Sequence, residues 1–196
     1  MRQKLIFWLP VALVTTVVCG LVYAAAQQNL RMAANDPQIQ MSEDAAQQLA
    51  AGQSVASILP TQTVEISQSL APFILVFNEA GQLVGANGKL DGQAPTLPMG
   101  IFTYTQAHQQ DRLTWQPRVG VRSAIVVTGY TGNNGSGFVV AGRSLREIET
   151  REAQLLILVG LAWIVAIVGS LGMIAISSVL TLIRHLHSKS PLPSSA

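Results

Sequence analysis

Charge is what this chain has least of. Only 11% of its 196 residues are Asp, Glu, Lys or Arg, against about 25% in an ordinary soluble domain. That scarcity argues against a protein bathed in water along its whole length. Cysteine is rarer still: Cys19 stands alone, so no internal disulfide exists and any folded region rests on its own core. Histidine is limited to His108, His185 and His187. His108 has Asp111 three residues on, but "QAHQQDR" reads as a solvated loop or helix face. His185 and His187 would need ligands from elsewhere to hold a metal, and read instead as part of a basic juxtamembrane tail with Arg184 and Lys189. No glycine-rich phosphate loop lies between a strand and a helix, since "TGNNGSG" joins two strands. No catalytic residue, metal site or cofactor is therefore assigned, and the expectation is a protein that is not an enzyme.

What the chain has instead is apolar length, with 49% hydrophobic residues. Residues 5–26 and 155–183 carry no charge, and each exceeds the roughly 20 residues that cross a bilayer's hydrocarbon core. A signal peptide competes for the first stretch, because Arg2 and Lys4 form a basic start and "AAA" at Ala24 to Ala26 supplies small residues. The stretch is long for the apolar part of such a peptide, which favours an uncleaved anchor. Cys19 follows Val18 rather than a small residue, so it reads as a membrane thiol and not as a lipid attachment site. Arg2 and Lys4 precede one span, while Arg184 and Lys189 follow the other. The positive-inside rule then puts both termini in the cytoplasm and the middle outside. The expected order is residues 1–4 cytoplasmic, 5–26 first span, 27–154 extracytoplasmic domain, 155–183 second span, and 184–196 a short basic and disordered cytoplasmic tail. All ten acidic residues fall in 27–154 with eight basic ones, a balance that excludes a basic nucleic-acid surface.

The middle segment reads as helix, then sheet, then helix. "NDPQIQMSEDAAQQLAAG" offers Asp36 as a cap, Pro37 in the first turn and Gly52 past the end; Ser42, Glu43 and Asp44 could start a second helix instead. Ile39, Met41, Ala45, Ala46 and Leu49 form its apolar stripe. "FILVF" is a continuous apolar run suited to a central strand, and Asn78 to Gly81 a hairpin turn into the next. "KLDGQAPTLPMG" is a loop lying across the sheet, "IFTYTQA" a short helix or strand, and "RLTWQPRVGV", "RSAIVVTGY" and "GFVVAG" are three further strands. Asn134, Gly135 and Ser136 spell a glycosylation sequon but suit a tight turn better. The fold class is α+β, with a five-stranded antiparallel sheet between two membrane helices.

"FILVFNEAGQLVGANG", the Pro/Gly loop, "LTWQPRVGVRSAIVVTGY" and "GFVVAGRSLREIETRE" running into a membrane helix together resemble the extracytoplasmic PAS-like (Cache or PDC-type) sensor domains of bacterial membrane receptors and sensor histidine kinases. The resemblance spans residues 36–183. It implies a five-stranded sheet with small ligands, often carboxylates or amino acids, bound against one face, and a place in the bacterial plasma membrane. Independently, Trp115, Arg118 and Arg122 lie close in sequence with Tyr104 and Tyr130 flanking them. Arginine forks suit carboxylates and aromatic walls exclude water. On a single strand Arg118 and Arg122 would share a face, although Pro117 and Gly120 stand in a position to break that register. The competing placement leaves both arginines in solvent and Trp115 in the core.

The last element carries its own signals. Ser144 followed by Glu147 spells a capping box, and Glu147 with Arg151 an i, i+4 pair. A helix is expected to run without a break from about Leu145 to Ile183. Ala162, Ala166 and Gly169 form a small-residue stripe along it, fit for close packing on the first span, on a partner or on a second copy. The functional expectation is a membrane-anchored sensor that binds a small ligand or a partner outside and acts through its membrane helices on a separate output protein. Its partners would be the bilayer, a second copy or a separately encoded histidine kinase, and a small ligand. The alternative is an accessory subunit that uses the same domain as an assembly surface.

Overall fold

A computed structural model describes residues 2–33, 36–133 and 135–188. Asn134 of the sequon, Lys189 with the tail beyond it, and the side chains of His185 and His187 lie outside the described residues. The chain divides into two units, Met1–Gln27 with Ala153–Ala196, and Gln28–Glu152.

In the Gln28–Glu152 unit, the end of α1 (Arg2–Ala33) leads to α2 (Asp36–Ala50), α3 (Val55–Ile58), β1 (Val64–Glu65), β2 (Phe73–Asn78), β3 (Leu83–Ala86) and β4 (Gly88–Lys89). There follow α4 (Met99–His108), β5 (Gln110–Arg118), β6 (Val121–Gly132), β7 (Gly135–Ser144) and the start of α5 (Arg146–Ser188). The main sheet is antiparallel with order β3-β2-β7-β6-β5, as the α+β reading requires. A short parallel pair, β1 with β4, has no counterpart in the sequence reading; two-residue strands carry no periodic signal.

"FILVF" is buried along its whole length because β2 lies between β3 and β7 with both of its faces covered. On one face Ile74, Val76 and Val139 pack under Ala45, Ala46 and Leu49 of α2. On the other, Phe73, Leu75, Phe77, Ile125, Val127, Phe138 and Val140 form the main core with Phe102 and Trp115. Phe102 of α4 lies 5.0 Å, centroid to centroid, from both Phe77 and Phe138, which resolves "IFTYTQA" as helix. The β2–β3 turn is held by Asn78, whose Oδ1 accepts from the Gln82 N–H at 2.9 Å.

Three expectations are corrected. First, no second helix starts at Ser42: α2 is continuous, and Ser42 is buried, accepting from Thr128 Oγ1 at 2.9 Å. Second, the buried stripe of α2 is Gln38, Ser42, Ala45, Ala46 and Leu49, with Ile39 and Met41 only half-buried at its flanks. Third, "RLTWQPRVGV" is not one strand. β5 stops at Arg118 and β6 begins at Val121, with Gly120 at φ +81° supplying the left-handed residue of the turn. At the end of α2, by contrast, Gly52 behaves as read: at φ +90° it donates to Leu49 O, and Gln53 N–H reaches back to Gln48 O, a Schellman close.

The other unit holds apolar helix. α1 and α5 are long and apolar enough to cross a membrane. Within this unit Trp8 Nε1 donates to Ser170 Oγ at 2.8 Å and Trp163 Nε1 to Thr16 Oγ1 at 2.9 Å, so each helix gives one indole and receives one. Among its half-buried positions are Ala12, Thr15, Cys19 and Tyr23 on α1, and Val159, Ile167, Ser170 and Ile174 on α5. Ala162, Ala166 and Gly169 are exposed instead, and among the described residues no atom beyond the adjoining stretch of α5 itself lies within 4 Å of where a Gly169 Cβ would sit. The small-residue stripe therefore does not pack on the first apolar helix.

Phe102 bridges α4 to two strands, and Phe102→Ala should lower stability by about 3–5 kcal/mol. Thermal unfolding of the detergent-solubilised chain measures this, and an unchanged midpoint would remove Phe102 from the core.

Candidate functional site

The structure does not bring the five proposed ligand residues together. Trp115 is 6% exposed and belongs to the core. Arg118, at the end of β5, forks onto Asp91, with Nε to Oδ2 and Nη2 to Oδ1 both at 2.9 Å. Arg122 is on the next strand and pairs through Nη1 with Glu149 Oε1. The shared face expected of the two arginines is lost because the turn at Gly120 comes between them. Tyr104 sits on α4, stacked on His108 with centroids 4.0 Å apart. Tyr130 is eight residues along β6 from Arg122, about 26 Å at 3.3 Å per residue. It lies over the far end of the sheet, where burial raises its pKa. Near it a polar hollow of about 350 Å³ is lined by Glu79, Gln106, Gln109, Tyr130, Thr131 and Ser136 among others.

Arg118 has a structural task. Asp91 adopts φ +52°, a conformation that a non-glycine residue needs help to hold. The help comes from Glu65, which accepts from Asp91 N–H at 2.8 Å, from Gly92 N–H at 2.9 Å and from Ser67 Oγ at 2.8 Å. These bonds favour the carboxylate, led by that from Gly92, and pull the Glu65 pKa down from 4.5 to about 2. Arg118 then clamps Asp91 from the other side, lowering its pKa as well. The pair anchors the loop that the sequence laid across the sheet.

A second cluster forms where α1 and α5 meet the sheet inside the Gln28–Glu152 unit. Leu145 N–H donates to Arg122 O at 2.9 Å, and Leu145 O accepts the first helical bond, from Glu149 N–H. The chain thus passes from ladder to helix across one residue. Leu145 and Ile148 lie with Ala124 between two clefts of about 150 Å³ each. One cleft adds Leu30, Ala33, Arg143, Glu147 and Arg151, and the other Arg31, Thr114, Arg122, Glu149 and Glu152. Arg–Glu pairs ring both: Arg31 with Glu152, Arg122 with Glu149, and Arg143 and Arg151 with Glu147.

The expected capping box does not form. Ser144 is still in β7, and its Oγ accepts from Arg146 N–H at 3.3 Å. Glu147 turns sideways to its two arginines. The i, i+4 pair of Glu147 with Arg151 is present. Arg31 and Ala124 escaped the sequence reading. A lone Arg after a long apolar run carries no pairing signal, and an alanine in a strand becomes distinctive only when two clefts share it.

Comparison with protein-family models, with curated proteins and with solved structures finds no match to this chain.

Glu65 makes a pH prediction. Its folded pKa lies below the ordinary value, so its contribution is present above about pH 4.5 and lost as pH falls toward 2. Glu65→Gln should lower the melting temperature near neutrality, and the gap to the wild type should narrow as the buffer is acidified through that window. A gap that stays constant across it would show that the carboxylate charge is not what holds the loop.

Proposed function

We propose that the chain is a two-span bacterial membrane protein whose Gln28–Glu152 unit is an extracytoplasmic PAS-like module, working by contact with another protein and not as an enzyme. The observation that carries this reading is α5: one helix that begins two residues after β7 ends and runs to Ser188 through a stretch apolar enough to cross a membrane. A five-stranded antiparallel sheet preceded by helices supports the PAS-like resemblance. Arg2 and Lys4 before one apolar stretch, and Arg184 and Lys189 after the other, support cytoplasmic termini in the plasma membrane.

The choice of a protein partner over a small enclosed ligand comes from how the five candidate residues are used. Trp115 fills the core, and both arginines are already engaged by carboxylates. A carboxylate ligand would share its arginine with the carboxylate already bound there and would gain no enclosed site. A protein partner needs no such cavity. Contact at the Leu145–Ile148 cluster acts directly on the first turn of a helix that continues through the apolar stretch. A bound partner shifts a receptor only by discriminating between two arrangements of it, and a cleft on each side of Leu145 and Ile148 leaves room for two. The uncovered stripe of Ala162, Ala166 and Gly169 supplies a face for a second copy or a separately encoded kinase in the membrane.

Two measurements test this. A thermal-shift screen of the full chain against small carboxylates and amino acids should give no stabilisation. A hit abolished by Arg118→Ala or Arg122→Ala would restore the small-ligand reading. In a Cys19→Ser background, single cysteines at 162, 166 and 169 should crosslink in membranes while cysteines on the opposite side of α5 do not; crosslinking that is uniform around the helix, or absent, would remove the stripe as a contact face.

A further inference from the structure

Val119 is 89% exposed, at the tip of the β5–β6 turn. The register fixes where that tip lies within the Gln28–Glu152 unit. Ser123 pairs with Ser144, the last residue of β7, and Arg118 with Val121 beyond it. The hairpin thus extends about 10 Å past the end of β7, at 3.3 Å per residue. It does so at the end of the sheet where α5 begins. Between Arg146 and Glu152, α5 advances a comparable distance, about 9 Å at 1.5 Å per residue, and the Arg122–Glu149 pair ties the hairpin to its first turns.

Charge follows the same geography. Arg118, Arg122, Arg143, Arg146 and Arg151 belong to the segments that converge on this end, where Asp91, Glu147 and Glu149 pair with four of them and leave positive charge in excess. The other half of the sheet and the helix faces beside it carry Glu43, Asp44, Glu79 and Asp111, with Arg112. Nor do their ion pairs use up the two arginines at the hairpin. Arg118 gives Nε and Nη2 to Asp91, and Arg122 gives Nη1 to Glu149. Each guanidinium has further N–H donors, and each side chain stays about half exposed, at 50% and 47%.

We propose that the β5–β6 turn is a peripheral membrane contact, in which Val119 enters the interface and Arg118 and Arg122 donate to the phosphates of anionic lipid headgroups. The inference rests on the reading of α5 as a membrane span, since that is what brings this end of the sheet to a lipid surface. A single apolar tip flanked by arginines suits an interface, where the methyls leave water and the guanidinium groups remain at headgroup level. It is too small to anchor the unit alone. Its role is to restrain the domain against the surface, so that the first turns of α5 keep one orientation.

The test uses the full chain, Cys19→Ser, reconstituted into vesicles of phosphatidylcholine alone or mixed with phosphatidylglycerol. An environment-sensitive fluorophore is placed in turn on Val119→Cys, on Asn133→Cys at the β6–β7 turn, and on Leu158→Cys in α5. The expected result is a blue shift at 119 with quenching by a headgroup-level lipid quencher, stronger with phosphatidylglycerol and weakened by salt. Position 133 should stay accessible to aqueous iodide, and 158 should be quenched from deep in the bilayer. If 158 is quenched from the bilayer while 119 is as accessible to iodide as 133, the inference fails and the span reading survives. If 158 is itself accessible to iodide, the span reading fails and takes the inference with it. Equal shielding of 119 in detergent and in both vesicle types would overturn the lipid contact in favour of a protein contact, and equal quenching in the two vesicle types would remove the anionic headgroup from the proposal.

Discussion

The arrangement depends on β7 having a hydrogen-bonded neighbour on each side. Phe73–Asn78 pairs with it along one edge and Val121–Gly132 along the other. It is this central strand, and not an edge strand, that leads into α5. A strand held on both sides cannot slip by one residue without sending its core residues to the wrong face. The register that buries Phe138 and Val140 on one face and Val139 on the other therefore also fixes where Leu145 meets Arg122 and where α5 starts. Had α5 grown from β5 or β3, its first turn would be tied to a strand with one free edge.

Elements whose signal is local were legible in the sequence. "FILVF" announces burial on both faces, Asn78 to Gly81 a turn, Gly52 a helix end, and each reads the same in the structure. Features decided by partners distant in the chain were not. The apolar residues Ile39 and Met41 invited a stripe through them, but the sheet selects the side of α2 carrying Gln38 and Ser42. Ser42 tolerates this because Thr128 bonds it, a partner 86 residues away. The capping box fails for a similar reason. Ser144 and Glu147 have the right spacing, yet the sheet keeps Ser144 extended, and Arg143 and Arg151 offer Glu147 charge-assisted bonds that a neutral backbone N–H cannot match.

The proposed ligand cluster shows the limit of adjacency in sequence. Trp115, Arg118 and Arg122 lie within eight residues, but a hairpin turn inside that span sends them to three different tasks: filling the core, clamping Asp91 and meeting Glu149. Pro117 and Gly120 were the visible warning. What could not be read was that Asp91, at a positive φ and bound through its N–H to Glu65, would claim Arg118. That claim depends on β1 pairing with β4, a contact too short to leave any pattern.

The aromatic core and the cluster where α5 begins differ in stiffness. The main core has Phe73, Phe77 and Phe102 nearly inaccessible and in contact over several strands, and close-packed aromatics shift only at the cost of cavities or strain. The cluster around Leu145 is different. Leu145 and Ile148 are only half-buried, both sides are open clefts, and the ring consists of Arg–Glu pairs that remain partly exposed. Exposed pairs of this kind contribute at most about 1 kcal/mol each, and an arginine can exchange one carboxylate for another at little cost. Glu147 already serves two arginines at once. A force applied to the unit is therefore absorbed first where α5 begins, because the charged ring rearranges more readily than the aromatic core. The soft element of the fold and the origin of its long apolar helix are the same few residues.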